Sequence, residues 1–278
     1  MAIRKLKDIP EPLLEIPQPP KQLYIEGDLP SLSDHTYIAI VGSRQNTDYG
    51  KQVCEDMIAA LAGTNAVVVS GLAIGTDVIA HTAALKHNIP TIAVPGSGLD
   101  PKVLYPRRHV DLARDIVSAG GALLSEFEPM FRPTVYAFPR RNRIMAGLCS
   151  FIFIIEATEK SGTLITSRLA TEYNRTVLTV PHPINSPTSA GPSMLLRLGA
   201  TPITSTAVFL EELGLAKEMK HSDMSAIEQT LFDQLHTPST KEDLAHSLKT
   251  PLAELTTILM TMELKGLIVE RYGAYCRR

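Results

Sequence analysis

The stretch Phe138-Pro139-Arg140-Arg141-Asn142-Arg143 places three guanidinium groups and an amide beside an aromatic ring. No Asp or Glu occurs between Glu128 and Glu156, a window that also holds Arg132, so the cluster reads as a local positive patch. The chain as a whole has a formal net charge of -2 at pH 7, and any polyanion must therefore be met by such a patch. Arginine forks match phosphate oxygens, and a neighbouring ring gives an exposed base a face to stack on; the combination suits an unpaired nucleic-acid strand. Asn142 can hydrogen-bond a base or a backbone group. The competing assignment for Asn142 and Arg143 is structural: partly buried, they would pin a helix start to a sheet and leave Arg140 and Arg141 exposed.

Four turns add anion chemistry: Val41-Gly42-Ser43-Arg44, the run from Ser70 to Asp77 with Gly71 and Gly75, Pro95 to Asp100, and Glu159-Lys160-Ser161-Gly162-Thr163. Glycine lets the backbone approach a ligand, Arg44 and Lys160 supply charge, and a helix that opens there presents N–H groups and the positive end of its dipole. Any strand-to-helix turn favours Gly and Ser, so one alone says little. Four on one rim, two of them with a cation, indicate an edge that binds phosphates. Asp77 and His81 stand four apart on one helical face and could form an acid-base pair. No nucleophile neighbours them, so the expectation is a dipole partner and cap at Asp77, a packing residue at His81, and no catalytic group.

The elements that position these residues follow from the apolar pattern. YIAIVG, AVVVSG, TIAVPG, ALLSEF, SFIFIIEA and TVLTVP are continuous apolar runs, as expected of strands covered on both faces, and amphipathic stretches between them supply crossover helices. This predicts a Rossmann-like, doubly wound α/β domain with a mainly parallel sheet over residues 37–216, whose ligands sit at the carboxyl ends of the strands. Residues 1–36, rich in proline, read as an extended arm with little regular structure. Residues 217–225 read as a linker. Over 226–278, Ser225 and Glu228 have capping-box spacing, Ile227, Leu231 and Leu235 share a helical face, and a second helix carries Leu244, Ala245 and Leu248. A third is expected to turn Leu252, Leu255, Leu259 and Met262 inward and stop at Gly266, before a hairpin at Gly273. That is a small winged-helix domain. Its third helix has no Lys or Arg between Lys249 and Lys265, which favours an accessory or protein-interaction role over groove reading.

Length and composition agree with one sizeable core and a small second one: 278 residues, 44% hydrophobic. The N-terminus lacks the apolar core of a signal peptide and no run approaches about 20 apolar residues, so a cytoplasmic protein with no membrane partner is expected. Cys54, Cys149 and Cys276 form no CxxC pattern, and neither a metal site nor a disulfide framework is assigned.

The ordered series VGSR, SGLAxGxD followed by AH, GLD and YP, LLSE, FPRRNRIMAGL, EAxxxSGT and a terminal LGA resembles the DNA-processing protein A family, also called Smf, over residues 36–216. The resemblance implies a non-enzymatic protein without cofactor that binds single-stranded DNA, loads RecA recombinase on incoming strands in natural transformation, and acts as a homodimer. It implies a strand-binding pocket from Gly42, Ser43, Arg44, Phe138, Arg140, Arg141, Asn142 and Arg143, with Lys160, Ser161, Gly162 and Thr163 holding a phosphate. Two departures are Pro181-His182 where the family usually shows Pro-Gly, and Gly191-Pro192-Ser193 where it shows Gly-x-Asn. Many members carry an N-terminal SAM-like domain, which this sequence is expected to lack. The alternative function is a small-nucleotide sensor or a nucleotide hydrolase of related fold; the PGGxGT turn of such hydrolases is absent, because Pro95-Gly96-Ser97-Gly98 and Ser161-Gly162-Thr163 lie in separate loops.

Overall fold

The computed structural model describes residues 2–158, 161–216, 225–248, 250–264, 267–271 and 273–277. They divide into two compact units, Met1–Ala216 and Lys217–Arg278.

The first unit is built on β3 (Thr36–Val41). The short N-terminal elements are β1 (Arg4–Lys5), α1 (Glu11–Leu14) and β2 (Tyr24–Gly27). After β3 come α2 (Asp48–Ala60), β4 (Ala66–Ser70), α3 (Thr76–Lys86), β5 (Thr91–Ala93), α4 (Val110–Ser118) and β6 (Ala122–Ser125). The second half holds α5 (Ala137–Leu148), β7 (Phe151–Ile154), α6 (Thr163–Glu172), β8 (Thr176–Thr179), α7 (Ala190–Arg197), β9 (Thr201–Pro202) and α8 (Thr206–Glu212). The six apolar runs form β3 to β8. In the nine-stranded sheet the order is β1-β2-β6-β5-β4-β3-β7-β8-β9. Every pair from β6 to β9 is parallel, while at the other side β2 pairs antiparallel with β6 and β1 forms the edge, antiparallel to β2.

Continuous hydrophobicity has the expected cause. Tyr37, Ala39 and Val41 of β3 face a core shared with α1 and α5, while Ile38 and Ile40 face a second core under α2, α3 and α8. A strand buried on both sides has no polar face to show. The chain runs from β3 outward through β4 and β5 to β6, then returns through α5 to place β7 on the other side of β3. This reversal is a topological switch point, where adjacent loops diverge and leave a crevice.

The N-terminal segment lies against the domain with short regular pieces of its own, more than an arm of little regular structure would hold: β2 pairs with β6, and Leu13, Leu23 and Ile25 are fully buried. Prolines confine the regular pieces to a few residues each but do not prevent an edge strand from forming.

The second unit contains α9 (Ala226–Gln234), β10 (Ser239–Thr240), α10 (Lys241–Leu248), α11 (Leu252–Leu264), β11 (Ile268–Arg271) and β12 (Ala274–Arg277). Its strands form an antiparallel sheet in the order β10-β12-β11. Ser225 accepts from the Glu228 N–H and the Glu228 side chain accepts from the Ser225 N–H, so the capping box is complete. Leu231, Leu235, Leu244, Leu255, Leu259 and Met262 make its own core. Leu252 departs from expectation and is exposed, being one residue into α11 and below its buried stripe. The hairpin turns at Gly273 with φ +79°; Gly266, the expected helix stop, and most of the 217–225 linker lie outside the described residues. No helix among the described residues is long and apolar enough to cross a membrane.

Candidate nucleic-acid interface

A cleft of about 480 Å³ opens at the carboxyl ends of β3, β4 and β7, at the switch point. Gly42, Ser43 and Arg44 line it from the loop after β3, Asp77 from α3, Phe138, Arg141 and Asn142 from α5, and Ser161, Gly162 and Thr163 from the start of α6. The structure therefore brings together three of the four predicted turns with part of the arginine cluster. Lys160 lies outside the described residues.

The cleft floor is a buried ion pair. Asp77 Oδ2 accepts from the Gly71 and Ala73 N–H groups at 3.1 and 3.2 Å and lies 3.8 Å from Arg141 Nη1. The same Nη1 donates to the Val94 carbonyl at 3.0 Å, so the guanidinium lies across the ends of β4 and β5. Burial pushes the Asp77 carboxyl up and the Arg141 guanidinium down, and each charge opposes the shift of the other. Gly71 is needed for this passage, since a Cβ there would stand 1.3 Å from Arg141 Nη1. Gly75 holds a positive φ of +84°, and its backbone packs so closely on Ser43 O that a Cβ would lie 2.3 Å away.

Several of the turn amides are committed within the protein and do not stand ready for phosphate. Gly71 and Ala73 donate to Asp77, the Thr76 N–H donates to Ser43 O at 3.1 Å, and the Thr163 N–H donates to Ser161 Oγ at 3.2 Å. The Thr163 hydroxyl donates to Gly42 O at 3.0 Å. Ser43, Ser161 and Thr163 thus lock the loops to one another, and backbone donors must find partners wherever they can. Asn142 is 9% exposed and its Nδ2 reaches Gly162 O at 3.5 Å, a bracing role of the kind considered for it.

The arginine cluster is divided by its own helix. On α5, positions 138, 141, 142 and 145 follow helical spacing and face the cleft, whereas 140 and 143 project from the opposite side. Arg140 Nη2 lies 3.2 Å from Glu126 Oε1, and Arg143 binds both Glu126 and the Gln18 carbonyl. Arg140 and Arg143 are therefore not part of the switch-point pocket in which the resemblance placed them. Glu126 stands just outside the acid-free sequence window and enters at the end of β6.

What the cleft offers a ligand is concentrated at its mouth. Arg44 is exposed, has no carboxylate within ion-pair distance among the described residues, and holds its Cζ 5.6 Å from the centroid of the Phe138 ring. Tyr105, a residue that sequence reading passed over except within a YP pair, meets Phe138 edge-on with centroids 5.8 Å apart. A cation beside a half-buried ring supplies charge for a phosphate and a face for a base in one place.

His81 is withdrawn from this chemistry. It is fully buried, and its Nδ1 stands 2.8 Å from Thr91 Oγ1, whose proton goes to Val68 O at 2.9 Å. Thr91 therefore accepts, which assigns the proton to Nδ1 and leaves Nε2 bare. Burial, with His109 and Arg141 nearby, pushes His81 down to about 3, so it remains neutral at physiological pH.

Glu156, at the end of the β7 run, carried no role in the sequence beyond its place in the EAxxxSGT series. It is fully buried and accepts from the Thr47 N–H at 2.9 Å, the Thr47 hydroxyl at 2.6 Å and the Thr188 hydroxyl at 2.7 Å. Burial pushes its carboxyl up, but the His182 ring 3.9 Å away and these donors hold it down to about 2. The departure Pro181-His182 thus falls on the loop that Glu156 ties to the start of α2. An acidic residue directly after a buried strand is the signal that could have singled it out.

A parallel α/β sheet with a cation and an aromatic ring at its switch point is a Rossmann-like ligand-binding domain. The chain belongs to the DNA recombination-mediator protein A family, whose model matches residues 1–214 and so takes in the N-terminal edge strands. It is 37% identical to Protein Smf of Escherichia coli over 96% of this chain and 74% of that protein. It is 39% identical to the DNA processing protein DprA of Bacillus subtilis over 74% of this chain and 69% of that one. Among solved structures, DNA processing protein A from Helicobacter pylori, studied for its single-stranded DNA binding mode, superposes with a TM-score of 0.69 at 34% identity, covering 76% of this chain and 95% of that chain. DprA of Streptococcus pneumoniae superposes with a TM-score of 0.68 at 36% identity, covering 76% of this chain and 73% of that chain.

Proposed function

We propose that the protein grips unpaired DNA in the switch-point cleft, without chemical turnover. The observation that carries this reading is the pairing of Arg44 with Phe138 at the cleft mouth, a stacking face and an uncommitted charge within 5.6 Å. The interaction tolerates sequence, because every base has a flat face and every nucleotide a phosphate. The single-stranded DNA binding mode of the Helicobacter relative supports the same assignment. Gly42, Ser43, Gly71, Gly75, Arg141, Asn142, Ser161, Gly162 and Thr163 shape and brace the pocket. By family resemblance, the bound strand is handed to RecA recombinase in the cytoplasm, and two protomers share one strand to gain avidity. The second unit is an accessory winged-helix element: the face of α11 that shows Ala253, Thr257, Met260 and Thr261 has no cation to neutralise phosphate.

The test is fluorescence anisotropy with a labelled oligothymidine, competed by unlabelled oligothymidine, duplex and mononucleotides. Tight binding of the single strand, resisted by duplex and mononucleotides, is expected. The cleft volume of about 480 Å³ also suits one small nucleotide, a second reading. Displacement of the strand by mononucleotide at equal concentration, or release of base or phosphate in proportion to protein, would favour it.

A further inference from the structure

Across α5 from the switch-point cleft lies a second cleft of about 490 Å³, lined by Gln18, Lys21, Gln22, Glu126, Arg140 and Arg143. Three cations face a single carboxylate there. Lys21 is exposed and forms no ion pair among the described residues, and the Arg140 side chain is 57% exposed despite its contact with Glu126. Glu126 is a built feature: its side chain is 9% exposed, and Oε1 is shared by both arginines. Its other oxygen, Oε2, is buried with no hydrogen-bond donor, a state that buried polar groups seldom keep.

An aromatic pair lies beside the second cleft. Arg140 lies 5.4 Å from the centroid of Phe127, which stacks on Phe131 with centroids 4.4 Å apart. Tyr136, the residue that precedes α5, is 83% exposed at the same end of the helix. A large ring as exposed as Tyr136 is uncommon on a surface with no partner.

Resting on the strand-binding reading of the first cleft, we infer that this second cleft is a further subsite for the same unpaired strand, which crosses the N-terminal end of α5 from one to the other. Its phosphates meet Lys21 and Arg140, while Arg143, held by Glu126 and the Gln18 carbonyl, shapes the wall between them. The width of one helix, about 10 Å, separates the subsites, more than the roughly 3–7 Å between neighbouring phosphates, so a dinucleotide fills only the first.

The experiment compares a labelled thymidine dinucleotide with an oligothymidine of about twenty nucleotides by anisotropy over a range of salt concentrations. The proteins are the full chain, its Lys21→Ala/Arg140→Ala variant and its Arg44→Ala variant. Both altered positions of the double variant are exposed, and an unchanged unfolding transition checks its fold. The double variant should bind the long strand about tenfold more weakly, with a log-log salt slope shallower by about 1.4 for two lost phosphate contacts, and bind the short strand as the parent does. Arg44→Ala should weaken both lengths. Equal long-strand affinity and slope in the double variant and the parent overturn the second subsite alone, as does an equal loss at both lengths, which would assign the pair to the first cleft. Short-strand binding indifferent to Arg44→Ala, or no strand binding by the parent, overturns the reading on which both clefts rest.

Discussion

Thr47 and Glu156 are 109 positions apart in sequence, yet Glu156 takes both the hydroxyl and the backbone N–H of Thr47, at 2.6 and 2.9 Å. One carboxylate thereby fixes the start of α2 and the end of the loop that carries Arg44. Gly50 packs directly on it, since a Cβ there would stand 2.2 Å from Glu156 Oε2.

Glu156→Ala should destabilise the protein by about 2 kcal/mol or more, because three donors lose a charged partner inside the protein. Glu156→Gln should cost less and alter the acid response. A carboxyl held down to about 2, against about 4.3 unfolded, contributes stability that is fully present above pH 4.3 and lost as pH falls toward 2. Urea denaturation at stepped pH should show that loss in the parent and its absence in Glu156→Gln.

His81 acts in an adjoining window. Pushed down to about 3, against about 6.5 unfolded, its neutral form contributes stability that is complete above pH 6.5 and declines as pH falls, because the unfolded chain takes up a proton that the folded chain refuses. The same titration should therefore begin to slope near pH 6.5 in the parent. His81→Gln should be less stable at neutral pH and flatter between about pH 6 and pH 4.5; an unchanged slope would contradict the burial of a neutral ring.

Gly71→Ala should destabilise by about 3 kcal/mol, since even a methyl group overlaps Arg141 and forces the guanidinium off its contacts with Asp77 and the Val94 carbonyl. Arg141→Ala should do similar harm by leaving Asp77 buried without its counter-charge, about 3–5 kcal/mol for broken pairs of this kind. Thermal unfolding separates these effects from binding, and a stable Arg141→Ala protein that merely fails to bind DNA would refute the structural role.

Arg44→Ala and Phe138→Ala should keep the fold and weaken oligothymidine binding by about tenfold each, one through charge and the other through stacking. Only Arg44→Ala should flatten the salt dependence, by about 0.7 in slope. Anisotropy at several salt concentrations checks both.

Much of this architecture was legible in sequence because its cause is local. Strands buried on both faces must be apolar throughout, and β3 to β8 are the runs that stand out. The strand β2 was not legible: Tyr24–Gly27 is four residues long, flanked by prolines, and its pairing with β6 depends on a partner far along the chain. The cleft was legible as a set of glycine turns on one rim, and Arg44 and Phe138 were among the residues singled out. Its electrostatics were not. A stretch without acids says nothing about Asp77 and Glu126, which reach the arginines from the start of α3 and the end of β6. Helical spacing alone would have separated Phe138, Arg141 and Asn142 from Arg140 and Arg143, had the cluster been read as helix instead of as a patch.

The anchorage of α5 has a mechanical consequence. Arg141 fastens the helix to the carbonyl of Val94, and Arg143 fastens its far side to the segment before β2. On the proposed strand path, tension on a polymer drawn over this helix would pass into the central sheet through those two anchors, as a taut line loads a bollard.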